Sequence, residues 1–167
     1  YYKFTADIDM ADETYTPISW ASNMSTAQGA AFTGVLDGNN HVIKNITLKT
    51  ISTYGSTYGI IGYLGANGVV KNLGVENITV NASTASRACI GGIAGSIGAG
   101  VTIENCYVRG MTVTAAPSGT DKTTYVGGIA GRTVGNSGTI KNLNIQGEFK
   151  VKQNYEMYGG GVVGYNT

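Results

Sequence analysis

Apolar and polar residues alternate in short bursts along most of this chain. Leu73 and Val75, Cys106 and Val108, and Leu143 and Ile145 are three such bursts, and Ile46 and Leu48 show the same pattern upstream. A period of two puts these side chains on one face of a β-strand, where a helix would need a period near 3.6. Each burst follows a block ending in Asn: Val69-Val70-Lys71-Asn72, Thr102-Ile103-Glu104-Asn105 and Thr139-Ile140-Lys141-Asn142. Val42-Ile43-Lys44-Asn45 reads as a fourth copy. The alternation breaks at the Asn, because Val70 and Asn72 would share a face while Leu73 and Val75 also have to face inward. A corner at the Asn resolves the conflict, since Asn enters the left-handed conformation more readily than most residues. A second corner is expected at Asn77, Gly110 and Gly147. Beyond it lie Ile78 and Val80, Met111 and Val113, and Phe149 and Val151.

The block Gly-Gly-Ile-Ala-Gly stands at 91–95 and again at 127–131, with looser copies at 59–62 and 161–164, so that the spacings are 33, 36 and 33 residues. A near-constant period of this size marks a repeat architecture in which each unit buries its apolar face on its neighbours. Each repeat then holds three short strands and two sharp corners, closed by loops of variable length at 83–88, 115–124 and 153–156. Such coils, stacked in register, make an all-β fold: a single-stranded parallel β-helix of about four to five three-stranded coils. The usual hand of parallel crossovers makes it right-handed. Stacking is expected to align Asn45, Asn72, Asn105 and Asn142 as a ladder of amides. It also aligns Lys71, Glu104 and Lys141 as a column of alternating charge. Residues 1–32, with a short alternating strand at Ala6, Ile8 and Met10, are expected to cap the open end of residues 33–167. The chain stops just inside a fourth glycine block, which reads as a segment of a longer protein.

Composition narrows the function. Gly supplies 26 of 167 residues and charged residues 13%, with a net charge of +1. Thinly spread charge argues against a nucleic-acid footprint, which needs clustered Lys and Arg. No run of 18 apolar residues occurs, so no membrane insertion by this segment is expected. Cys89 and Cys106 are too few for a disulfide framework. Cys106 stands where other repeats have Leu73 and Leu143 and reads as a small buried hydrophobe, and the spacing admits either a bridge between the two thiols or none.

No constellation for chemistry emerges. Asp7, Asp9, Asp12 and Glu13 form the one acidic cluster but lack the spacing of a calcium loop, so no metal site is expected. His41 has no nucleophile or carboxylate arrangement to activate and reads as a packed or capping residue. Glycoside hydrolysis would need paired carboxylates, whereas Glu76, Glu104, Asp121, Glu148 and Glu156 come one or two per repeat. No catalytic residue, no cofactor and no enzyme activity is expected. The eleven tyrosines are the strongest hint of binding. Tyr54, Tyr58 and Tyr63 cluster near the first repeat, and Tyr125, Tyr155, Tyr158 and Tyr165 near the last two. Tyr107 should point outward, because Gly74 and Asn144 take its place in other repeats. Exposed aromatics with a polar tip make good contact residues, so Tyr107, Tyr125, Tyr155 and Tyr158 are the candidate ligand contacts.

The stretch Phe32-Thr33-Gly34-Val35-Leu36-Asp37-Gly38-Asn39-Asn40-His41-Val42-Ile43-Lys44-Asn45, with its repeated Gly-Gly-Ile-Ala-Gly and Thr-Ile-Lys-Asn units, resembles GLUG-type repeat proteins. The lead-in at Ala6-Asp7-Ile8-Asp9-Met10 and Thr16-Pro17-Ile18 is similar to theirs as well. The resemblance implies a right-handed β-helix in an extracellular or bacterial cell-surface setting, and it carries no catalytic residues. It implies a non-catalytic adhesion module for a host glycan or extracellular protein. The alternatives are a spacer or substrate-positioning region of a larger secreted enzyme such as a protease, and, behind these, a polysaccharide-cleaving enzyme.

Overall fold

A computed structural model describes residues 1–11, 13–20, 31–49, 56–82, 87–115, 123–135, 138–148 and 156–167. The strands are β1 Tyr2–Lys3, β2 Ile8–Asp9, β3 Val35–Asp37, β4 Val42–Lys49, β5 Ser56–Tyr58, β6 Ile61–Leu64, β7 Val69–Lys71 and β8 Gly74–Ala82. They continue as β9 Arg87–Gly91, β10 Ala94–Ile97, β11 Thr102–Ala115, β12 Thr123–Gly127, β13 Ala130–Thr133, β14 Thr139–Glu148, β15 Met157–Gly160 and β16 Val163–Tyr165. All are paired in parallel, and they stack as a β-solenoid of about four turns. The long outer sheet runs β1-β3-β7-β11 on one arm and β2-β4-β8-β11 on the other, with β14 laid on β11. Two four-stranded sheets, β5-β9-β12-β15 and β6-β10-β13-β16, close each coil.

The period-of-two residues line the core as the pattern requires. Ile46, Leu48, Leu73, Val75, Cys106 and Val108 are buried, while Leu143 and Ile145 of the last coil are only partly covered. Each fully buried aliphatic side chain contributes roughly 1.5–3 kcal/mol. Asn45, Asn72, Asn77, Asn105 and Asn142 all have φ between 52° and 58°, so every predicted Asn corner is left-handed. Gly110 joins them at φ 67°.

The register corrects two expectations. Val42 lies beside Gly74 and Ile43 beside Val75, so the block ending in Asn45 stacks on the second corner rather than on Asn72. The partner of β7 is β3, with Asp37 beside Lys71. There are therefore two ladders. In one, the Asn142 amide donates to Asn105 (3.0 Å), Asn105 to Asn72 (3.2 Å), and Asn72 to the Asp37 carboxylate (3.1 Å). In the other, Asn77 donates to Asn45 (3.1 Å) and Asn45 to Asp9 (2.8 Å). The direction explains the ends: each amide donates toward the N-terminus, and a carboxylate, which only accepts, terminates the run. The second correction concerns Gly147, which pairs with Met111 and is not left-handed; Gly110 is the extra residue of a bulge there.

The charge column is longer than Lys71, Glu104 and Lys141. Register places Lys3, Asp37, Lys71, Glu104 and Lys141 in line, with Lys71 Nζ 3.5 Å from Asp37 and Lys141 Nζ 3.1 Å from Glu104. Beside it runs Asp9, Lys44, Glu76 and Arg109, opened by a 3.4 Å pair between Lys44 and Asp9.

The N-terminal residues stack as a rung of the solenoid itself, β1 on β3 and β2 on β4. Ile18 bridges Ile61 and Phe32 bridges Leu64. Asp7 accepts from the Val42 N–H and lies 3.0 Å from His41 Nδ1, which ties His41 to this rung. Asp37 is nearly enclosed. The Tyr1 hydroxyl above all, then the Asn39 N–H and the Asn72 amide, hold its carboxyl far below the usual carboxylate range. Asp7 and Asp9 are held low by the Val42 N–H and by the Asn45 amide respectively. A depressed folded-state pKa gives stability that is complete above the unfolded value, about 4, and is lost as pH falls through the folded value. The melting temperature should therefore hold from neutral pH to about pH 5 and then fall. Asp37→Asn should flatten that acid limb, and an unchanged limb would refute the assignment.

Part of the sequence reading lies outside the described residues. This applies to Asp12, Tyr54, Asp121, Phe149, Val151, Tyr155 and most of the three variable loops.

Candidate functional site

The Gly-Gly turn joins the two short sheets. A Cβ on Gly95 would stand 2.6–2.8 Å from the backbone of Thr57 and Tyr58, and one on Gly131 would stand 2.3–2.8 Å from that of Ile90 and Cys89. β10, β13 and β16 thus lie directly on β5, β9 and β12, the strands of the other short sheet one coil below. Two columns of side chains meet there. One is Thr57, Cys89, Tyr125 and Tyr158. The other is Tyr63, Ser96, Arg132 and Tyr165.

Three of the four lower members are small and closed off, while Tyr63 is half-buried. Thr57, Cys89 and Ser96 are fully buried. The upper members are large and reach solvent. Tyr125 and Tyr158 stack with centroids 5.3 Å apart, and Tyr165 contacts Tyr125 at 5.0 Å and Tyr158 at 5.1 Å. The Arg132 guanidinium lies 5.9 Å from the Tyr125 ring centroid, within cation–π range. Tyr158 is 40% exposed. Burial raises the Tyr125 pKa against the opposing field of Arg132, so its phenol remains a protonated donor at neutral pH.

Tyr125 and Tyr158 therefore come together, and they recruit Tyr165 and Arg132, which were not among the candidate contacts. A signal for both was present: Arg132 follows Tyr125 by seven residues, as Tyr165 follows Tyr158. Tyr107 stands apart on the outer sheet. It points outward, its ring lies over Gly74, its hydroxyl donates to Glu76 (2.9 Å), and Arg109 sits 4.6 Å over the ring. Tyr58 is a correction to the first-repeat cluster. It is fully buried, because its register partner is the core residue Ile90.

Other candidate chemistry is thin. Both cysteines are free and buried, and burial pushes the Cys89 thiol up to about 12 and the Cys106 thiol up to about 11, so neither is a ready nucleophile. Among the described residues no group of three or more His, Cys, Asp or Glu is placed to hold a metal. An open cavity of about 430 Å³ lies at the C-terminal end, over Ile97, Ile140 and Val163. Its rim residues Thr133 and Asn166 are hydrogen-bonded to each other, and among the described residues no charged group lines it.

Over 82 residues, 49% of this chain, the sequence is 33% identical to halomucin of Haloquadratum walsbyi (strain DSM 16790 / HBSQ001). The match spans about 1% of halomucin's own length. No family model and no solved structure matches the chain.

Proposed function

We propose that this chain is an extracellular, non-catalytic interaction module of the GLUG-repeat kind, which binds a glycan or protein through the face formed by Tyr125, Tyr158, Tyr165 and Arg132. The observation that carries the reading is the contact of three tyrosine rings on adjacent, backbone-paired strands. Rigid aromatics of this sort supply contact area with little side-chain entropy to lose. The likeness to halomucin supports the extracellular setting. The non-catalytic part is supported by how the carboxylates are used: Asp9 and Asp37 end the amide ladders, Glu76 accepts from Tyr107, and Glu104 pairs with Lys141.

A second reading, a spacer or substrate-positioning segment of a larger secreted protein, is favoured by the outer sheet, whose charges and amides are spent on one another along the stack. Binding of the labelled chain to a panel of glycans and extracellular-matrix proteins separates the two. The module should give a saturable, competable partner, and Tyr158→Ala should weaken it about three- to tenfold with the fold intact. Silence from a folded sample would favour the spacer.

A further inference from the structure

Four cations of the outer sheet have acidic company. Lys44 pairs with Asp9, Lys71 with Asp37 and Lys141 with Glu104, while Arg109 lies in register beside Glu76. Arg132 departs from this. Among the described residues no carboxylate pairs with it, its contact is the Tyr125 ring, and its Nε is buried with no hydrogen-bond partner. One rung below, in register, the Ser96 hydroxyl is also fully buried without a partner. Leaving buried donors unmatched is unfavourable. Ser96 is sealed inside the coil, but Arg132 is half-buried and reaches solvent beside the rings, so the charge left without an acceptor on this face is the guanidinium's. The missing acceptor is anionic, because a guanidinium fork matches a carboxylate in charge and in planar geometry. The rings alongside add a second requirement. Tyr158, 40% exposed, presents an apolar ring edged by its hydroxyl beside Tyr165, which suits a flat, partly apolar, hydroxyl-rich body.

We propose that this face takes a carboxylate-bearing sugar, the uronate or sialate residue of an acidic polysaccharide. Arg132 meets the carboxylate, and Tyr158 and Tyr165 meet the pyranose. The proposal rests on the reading of this face as a binding surface and narrows it to one ligand chemistry.

The test is calorimetric titration of the whole chain with short oligomers of galacturonate, mannuronate and glucuronate-containing repeats, and with sialyl-lactose, each beside its methyl ester. The acid form should bind about tenfold or more tighter than the ester. Comparison across the oligomers assigns the carboxylate to a uronate or a sialate. Arg132→Gln should erase the preference for acid over ester, and Tyr158→Ala should weaken both forms together. Equal binding of acid and ester overturns the proposal, as does a preference that survives Arg132→Gln. Should that variant fail to fold, the wild-type ratio and Arg132→Lys decide instead, the lysine variant keeping a reduced preference. Poly-glutamate binding as tightly as the oligouronides would transfer the site to an acidic protein segment and overturn the sugar assignment. If no acidic sugar binds while another member of the glycan and matrix panel does, this inference fails and the broader function stands. Silence from every probe defeats both.

Discussion

Gly92→Ala should destabilise the protein by about 3 kcal/mol or more, whereas Gly161→Ala should be neutral or stabilise it by about 0.4–1 kcal/mol. Both residues are the second glycine of a Gly-Gly turn. At Gly92 an added Cβ would stand 2.6 Å from the carbonyl oxygen of Gly128 in the next coil and 2.6–2.7 Å from the methyls of Val108. The close backbone approach across the stack, where the Gly92 N–H donates to Gly128 at 3.1 Å, leaves no room for it. At Gly161 nothing lies within 4 Å, and the backbone is not left-handed. Thermal melts of the two variants should differ by roughly 10 °C, at ~2–4 °C per kcal/mol for a domain of this size. Equal melting temperatures would show that the coils do not pack as described.

Asn105→Leu should cost about 1–3 kcal/mol. The cost has two sources. The backbone at Asn105 is left-handed (φ 52°), which a branched apolar residue adopts only under strain. The amide also sits mid-ladder, donating to Asn72 and accepting from Asn142, so its removal leaves both neighbours short of a partner. Asn105→Gly separates the two. It keeps the corner without strain and loses only the ladder bonds, which solvent partly replaces at this exposed position. Stability should fall in the order wild type, Asn105→Gly, Asn105→Leu. Glycine and leucine variants of equal stability would assign the whole effect to the ladder, and a leucine variant as stable as wild type would remove both contributions.

The two substitutions probe different depths of the same code. The first glycine of each Gly-Gly pair is needed for a local reason: a Cβ on Gly91, Gly127 or Gly160 would lie 2.0–2.1 Å from the carbonyl oxygen three residues further on. The second glycine is needed for a different reason, the backbone of a neighbouring coil, as at Gly92 under Gly128 and Gly128 under Gly161. In the first coil that position is absent. Gly59 aligns with Gly91 and Ile61 with Ala94, so the turn is one residue shorter, and the sequence copy at 59–62 accommodates Ile60 and Ile61 for that reason.

The sequence by itself determined the strand period, the left-handed corners at Asn, the parallel stacking and the outward course of Tyr107, because each follows from local conformational preference repeated at a fixed interval. It also placed Tyr125 and Tyr158 at one position of successive repeats. Only the tertiary structure decided which corner Asn45 belongs to. Similar Val-Ile-Lys-Asn and Val-Val-Lys-Asn strings fit either arm of the outer sheet, and the choice rests on what Val42 and Asp9 pair with. It likewise buried Tyr58 on the core side while leaving Tyr158 exposed. The meeting of Arg132 and Tyr165 with the tyrosine stack came from the close crossing of the two short sheets at Gly95, Gly131 and Gly164. The seven-residue spacing marks the pairs Tyr125–Arg132 and Tyr158–Tyr165 in the sequence, but the contact of Tyr165 with Tyr125 joins strands of adjacent coils, and no local pattern in the chain encodes that.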